Sequence, residues 1–184
     1  AGGRSLHVAL SSLRRLLEEH AGATGSRLIA RDGDAYRLAV AAEDVDLGRF
    51  DHAIAAGRAA RARGEAAAGA FAAAIATYTG DLLPEEGPAE WVAERRDQYR
   101  ARAIEAAERL AEESLLAGDL PTAVRACRFG LELDRYQDAL WRLLIAARER
   151  GGEAGAASRE RREYAQVLES LGVADEAAGL ITAS

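Results

Sequence analysis

The stretch IEAAERLAEESLLAGDLPTAVRACRFGLELDRY, Ile104 to Tyr136, decides the fold. It predicts one helical hairpin: a helix from Ile104 to Ala117, a break at Gly118-Asp119, and a second helix from Leu120 to Leu133. Ile104, Ala107, Leu110, Ala111, Ser114 and Leu115 recur at spacings of three and four in the first half. Ala123, Ala126, Cys127, Gly130 and Leu131 do so in the second, so each half carries one apolar helical face. Both faces are built of small residues, which let antiparallel helices approach closely. Gly118 supplies the left-handed residue that ends one helix before Asp119 starts the next.

The unit recurs. A shift of 34 positions carries Ala107 onto Trp141, Leu110 onto Leu144, Gly118-Asp119 onto Gly152-Glu153 and Ala123 onto Ala157. Thirty-four residues is the tetratricopeptide period. A weaker copy precedes it, with Gly64-Glu65 separating the helical run Leu47 to Arg63 from the run Ala66 to Tyr78. Its offset from Gly118 exceeds the period by about 20 residues, and Gly80, Pro84, Gly87 and Pro88 place the insertion between Tyr78 and Glu90. Trp91 opens the longest helical run. Leu140, Trp141, Leu144 and Ile145 mark a further helix, Tyr164, Val167, Leu168 and Leu171 another, and Leu180-Ile181 a terminal cap of the kind solenoids need.

Ahead of this body lies a different pattern. Leu6, Leu10, Leu13 and Leu17 form one stripe of a short amphipathic helix, with Ala9 and Leu16 beside them, while Arg4, His7, Val8, Ser11, Arg14 and Arg15 project from the other side. After a loop at Ala21 to Ser26, the β-prone pieces Leu28 to Ala30 and Tyr36 to Val40 flank Arg31-Asp32-Gly33-Asp34, whose Asp-Gly step signals a hairpin turn.

Composition narrows the function. The 184 residues are 49% hydrophobic and 29% charged, enough for a proper core. No apolar run reaches membrane-spanning length and no basic, then apolar, leader is present, so the expected location is the cytoplasm, with no membrane partner. The lone Cys127 sits on an apolar face and reads as a small buried hydrophobe. All 24 cationic side chains are arginine. Without lysine there is no P-loop, no kinase strand lysine and no Schiff-base amine. His7, His20 and His52 are isolated, and Glu85-Glu86 and Glu112-Glu113 are consecutive pairs expected to point to different helix faces. No enzyme, metal site or cofactor is expected. Residues 1–40 carry six arginines against four carboxylates, net +2, whereas the remainder carries net −8. A basic head on an acidic body suits a protein that brings one end to a polyanion.

Across nearly its whole length the chain resembles the Streptomyces antibiotic regulatory protein (SARP) type of bacterial transcriptional activator. Ser5 to Leu17 resembles the recognition helix of an OmpR-type winged helix, and Leu28 to Leu38, ending Ala35-Tyr36-Arg37-Leu38, resembles its wing. Val45-Asp46 to Phe50, the run Tyr78-Thr79-Gly80-Asp81-Leu82-Leu83-Pro84, Trp91, Gly118-Asp119, Leu133-Asp134-Arg135-Tyr136 and Leu171-Gly172 resemble the family's bacterial transcriptional activation domain. The wing here reads Gly33-Asp34-Ala35-Tyr36 where the family has Gly-x-Gly-Tyr, and Asp134-Arg135-Tyr136 replaces Asp-Pro-Tyr, removing a helix stop. The strands and first two helices of a complete winged helix do not precede Ala1, which leaves the leucine stripe short of part of its core: the chain is either a piece of a longer protein or has kept this segment in another role.

The resemblance implies a mostly α fold, a right-handed tetratricopeptide-like body at 43–184 behind a partial winged helix at 1–42. It implies an activator that binds direct-repeat promoter sites on double-stranded DNA, pairs with a second copy of itself there and touches RNA polymerase. Arg4, His7, Ser11 and Arg15 would face the major groove, Arg14 phosphate, and Arg31 the minor groove or its phosphates. By analogy with tetratricopeptide repeats, Glu105, Glu108, Glu112, Arg142 and Glu149 would line an acidic groove for a basic or amphipathic peptide, or form a solvated face of helical ion pairs. The alternative function is a tetratricopeptide-type interaction scaffold without DNA binding.

Overall fold

The computed structural model describes residues 2–21 and 28–173, with backbone alone at 2–6, 18 and 21. The chain divides into two compact units, 1–48 and 49–184. The first unit holds helix α1 (Gly2–Ala21), strands β1 (Ile29–Asp32) and β2 (Ala35–Leu38), and a short 3-10 turn at Ala42–Asp44. The second is helical: α2 (Asp46–Ala62, whose first turn belongs to the first unit), α3 (Ala68–Thr77), α4 (Glu90–Ala117), α5 (Leu120–Leu133), α6 (Asp138–Arg150) and α7 (Ala154–Ser170).

The α4–α5 hairpin forms as its residues predict. Gly118 takes φ 78°, ψ 8°, the left-handed geometry that closes α4. The Asp119 carboxylate then accepts the Thr122 amide at 3.1 Å and caps α5. Ala103, Ala106, Ala107 and Ala111 on α4 are fully buried, as are Ala123, Ala126, Cys127 and Gly130 on α5. Burial pushes the Cys127 thiol up to about 12, so it stays a protonated, apolar group.

The 34-residue repeat is real in packing. Gly152 repeats the positive φ of Gly118, at 71°, and Trp141, Leu144 and Ala157 are buried where Ala107, Leu110 and Ala123 are. Trp141 stacks on Tyr164 of α7 with ring centroids 5.7 Å apart. α5 stops at Leu133 although the family's proline is missing there. Asp134 turns extended at φ −152°, its carboxylate accepts the Tyr136 amide at 2.9 Å, and the Trp141 indole donates to the Arg135 carbonyl at 2.8 Å. The Leu180-Ile181 cap lies outside the described residues.

The earlier, weaker repeat is held by side chains from α4. Phe50 of α2 packs between Tyr78 and Tyr99, at centroid distances of 5.9 and 5.6 Å. Arg102 lies over both Phe50 and Tyr99, 5.4 Å from each ring, and donates to Asp51 at 2.6 Å, while the Tyr99 hydroxyl donates to the same carboxylate. One turn further along, Arg58 forms a two-pronged ion pair with Glu105, its Nε donating at 3.0 Å. α3 starts at Ala68, later than Ala66, because no local cap precedes it. The Ala67 amide instead donates to Glu113 of α4 at 2.9 Å. Arg61 reaches both Glu112 and Glu113, at 3.2 and 3.5 Å. These consecutive carboxylates therefore do share a partner, against the sequence expectation, since a long guanidinium side chain spans the angle between adjacent helical positions.

Residues 78–89 form the inserted connection, with a 3-10 turn at Pro84–Glu86. Arg96 of α4 organises it: its Nε donates to the Leu82 carbonyl at 2.7 Å and its two terminal nitrogens donate to the carbonyls of Leu83 and Gly87. No helix among the described residues is long and apolar enough to cross a membrane.

Two outcomes follow from this packing. A Cβ on Gly57 would lie 2.7 Å from the buried Phe71 ring, so Gly57→Val should lower the urea-unfolding free energy by about 2 kcal/mol, whereas Gly69→Ala, which meets open space, should change it by less than about 0.5 kcal/mol. The hydrogen-bonded Arg58 guanidinium holds the Glu105 carboxyl below its ordinary value of 4.5. Its contribution to stability is therefore complete above that value and lost as pH falls through the lower folded one. Thermal unfolding of Glu105→Gln should show a shallower acid decline than wild type below pH 4.5 and a lower midpoint at neutral pH.

Candidate nucleic-acid interface

Helix α1 presents two sides. His7, Val8, Ser11, Ser12 and Arg15 line one shallow open depression of about 480 Å³. They are spaced three and four apart, so one helix face carries them all. Arg15 is exposed and makes no ion pair among the described residues. The Ser11 hydroxyl donates back to the His7 carbonyl at 2.8 Å. Val8 adds an exposed apolar group between them. On the leucine side, Leu10 and Leu17 are half-buried while Leu13 and Leu16 are exposed.

The β-hairpin is tied to α1 by Arg14. Its guanidinium donates to the Ile29 carbonyl at 3.0 Å and lies 5.7 Å from the centre of the Tyr36 ring. The Tyr36 hydroxyl in turn stands 3.4 Å from His7 Nε2, with the two rings edge to face. Strand pairing runs Ile29 to Leu38, Ala30 to Arg37, Arg31 to Tyr36 and Asp32 to Ala35. The two-residue turn is therefore Gly33-Asp34, and Asp32 belongs to the ladder instead of the turn. Gly33 takes φ 59° at the first turn position, where a II′ turn places glycine.

The expected groove residues thus separate. His7, Ser11 and Arg15 share one exposed face, with Val8 and Ser12 added. Arg14 points instead to the hairpin backbone. Arg31 stands beside the turn, where its Nε donates to the Gly33 carbonyl at 2.8 Å and its side chain stays exposed near Asp34. Arg4 lies in α1, and its side chain is outside the described residues. The contact of Arg14 with Tyr36 and the hairpin backbone was missed in the sequence. Its only sign there was an aromatic residue, Tyr36, opening the second β-prone piece.

On the helical body, each residue expected to line a groove has an ion-pair partner. Glu105 is held by Arg58, Glu112 by Arg61 and Arg109, and Glu149 by Arg161. Glu108 lies 3.5 Å from Arg109, and Arg142 donates to Asp138 one turn before it. Glu105 and Glu108 share a cleft of about 520 Å³ with Asp97, Arg100, Ile104 and Asp134. Glu112, Arg142 and Glu149 do not line it. Arg58–Glu105, Arg61–Glu112 and Arg161–Glu149 join different helices, while Arg109–Glu112 and Arg142–Asp138 lie within one. No cluster of histidine, cysteine or carboxylate side chains among the described residues could hold a metal ion.

Residues 45–180 match the model of the bacterial transcriptional activator domain. Among solved structures, EmbR of Mycobacterium tuberculosis, determined in complex with a low affinity phosphopeptide, is similar, with a TM-score of 0.72 and 25% sequence identity. The similarity covers 92% of this chain and 45% of the EmbR chain, so this chain spans less than half of that protein's length. A search of curated proteins gives no match. The family model covers the Asp46-to-Phe50 start of α2, the Asp81-Leu82-Leu83-Pro84 connection, both glycine-marked hairpins and the Asp134-to-Tyr136 corner. The chain belongs to the bacterial transcriptional activator domain family, the tetratricopeptide-like body of SARP-type regulators.

Proposed function

We propose that the chain is the DNA-binding and helical part of a non-catalytic transcriptional activator, with residues 1–42 acting as recognition helix and wing and residues 43–184 as the body. The observation that carries this reading is the division of labour between neighbours: Arg14 spends its guanidinium on the hairpin, while Arg15 and Ser11 stand on the exposed face of α1, next to His7, whose ring also meets Tyr36. In a helix-turn-helix protein this is the face that enters the major groove. Arg15 and Arg4 supply charge and bidentate donors for guanine or phosphate, Ser11 and His7 hydrogen bonds to base edges, and the exposed Val8 an apolar contact for a thymine methyl. Arg31 at the turn serves phosphate or the minor groove. Arg14 is then a positioning residue that sets the angle between helix and wing.

On direct-repeat promoter sites the body would pair protomers and contact other proteins, RNA polymerase among them. The acidic body would keep this surface off the DNA. Family membership and the EmbR-like fold support the activator role, and the basic balance of residues 1–40 supports the polarity. Two or three phosphate contacts provide little salt-dependent affinity, so the chain alone should bind weakly.

Fluorescence anisotropy on direct-repeat DNA from the protein's own promoter region, across a salt series, tests the proposal in the intact protein. Arg15→Ala should weaken binding and lower the salt slope by about one. Arg14→Ala should weaken binding while leaving the slope nearly unchanged, because its charge is spent internally. Binding no stronger than to random DNA, and indifferent to both variants, would leave the helical body as the functional part and favour the scaffold reading.

A further inference from the structure

The connection between α3 and α4 is more tightly built than a linker needs to be. Arg96 commits its whole guanidinium to three of its carbonyls. Arg100 pairs with Asp81 at 2.5 Å, and the Tyr78 hydroxyl donates to Asp81 at 3.1 Å. Within this frame Leu83 holds φ 49°, ψ 59°, the left-handed region that a branched apolar side chain avoids. It is the non-glycine residue with positive φ among those described. Strain of this kind persists where surrounding contacts over-determine it, and it collects at functional surfaces.

What the strained segment presents is apolar and outward. Leu83 is 38% exposed and Trp91, in the first turn of α4, is 67% exposed. Arg96 ties the connection to the first two turns of α4, so both side chains stand at the same end of the helical unit. The other tryptophan, Trp141, is 4% exposed and stacked in the core. A large exposed indole and an exposed leucine at one end of the unit have the composition of an interface anchor. The charges around them have one prevailing sign. Between Leu83 and Arg95 the chain carries Glu85, Glu86, Glu90 and Glu94 against the single Arg95, all five exposed. Glu85, Glu86 and Glu90 make no ion pair among the described residues, and Glu94 accepts only a Gln98 amide, at 3.0 Å.

We infer that Leu83, Trp91 and these four glutamates form a docking surface for a basic segment of a partner protein, one carrying large apolar residues among lysines or arginines. A second copy of this chain is the poorer occupant, because a two-fold contact through this surface would set the same carboxylates of both copies against each other. The inference deepens the protein-contact half of the proposed function and does not depend on DNA binding.

The test uses the intact protein and a fluorescein-labelled amphipathic peptide of leucine and lysine, with a counterpart in which glutamate replaces lysine as control. Saturable anisotropy with the lysine peptide is expected, together with a blue shift of tryptophan emission, which Trp91 dominates as the exposed indole. Leu83→Gly, which keeps the left-handed backbone, and Trp91→Ala should each weaken binding roughly tenfold. Glu90→Arg with Glu94→Arg should weaken it further and reduce its salt dependence. Thermal midpoints should stay unchanged in Trp91→Ala, since its side chain is exposed, and DNA affinity should stay unchanged in Leu83→Gly and Trp91→Ala. Absence of saturable binding, equal binding of the glutamate peptide, or affinity untouched by Trp91→Ala would overturn the inference. So would self-association in sedimentation velocity that Trp91→Ala abolishes. Loss of DNA binding with peptide binding intact would count against the DNA reading alone.

Discussion

The close approach of α4 and α5 is the constraint on which the helical unit depends. Alanines on one helix meet alanines, Cys127 and Gly130 on the other, and a Cβ added to Gly130 would fall 3.1 Å from that of Ala107 and 2.4 Å from a methyl of Leu140 on α6. Small residues bury little area each, so the stability of such a face comes from the number of atoms brought into contact at close range. That distance leaves α6 room to lie against α5, with α7 packed against α6 in turn. The larger side chains Phe50, Phe71, Trp141 and Tyr164 are buried with them, Phe71 so close to α2 that a Cβ on Gly57 would lie 2.7 Å from its ring.

Arginine does the work that lysine and proline share in other chains. Its planar group has five donors and can hold two carbonyls or both oxygens of a carboxylate at once. Arg96 shapes a connection by binding backbone, Arg102 joins an aromatic pair to Asp51, and Arg128 reaches the buried Glu160 of α7 at 2.8 Å. Arg14 plays the same part in the first unit. Each of these side chains converts charge into geometry, which removes it from the pool available to an external polyanion or peptide. The consequence is selectivity by subtraction: only some arginines, Arg15 among them, are left outward and without an ion pair among the described residues.

Much of the molecule was legible before the structure. The α4–α5 hairpin was readable to its last residue because its apolar spacing, its Gly118 stop and its Asp119 cap agree with one another. The repeat was readable because a period survives the replacement of Ala107 by Trp141. The hairpin of the first unit was readable in existence and not in register, since Asp32-Gly33 and Gly33-Asp34 are both good turn pairs and only the cross-strand pairing of Asp32 with Ala35 chooses between them. The start of α3 was misplaced for a related reason: its cap comes from Glu113, 46 residues away.

Sequence by itself therefore determined the class of elements, their order, the two glycine-marked hairpins and the division between a basic head and an acidic body, because these follow from local periodicity, turn chemistry and charge. Only tertiary structure decided which charged side chains are free. Arg14 and Arg15 are adjacent and identical, and Glu85 and Glu105 are the same residue on helical ground. One of each pair is bound to a neighbour brought in by the fold and the other faces solvent. A side chain's partners lie at distances along the chain that no local pattern encodes, and those partners set its function.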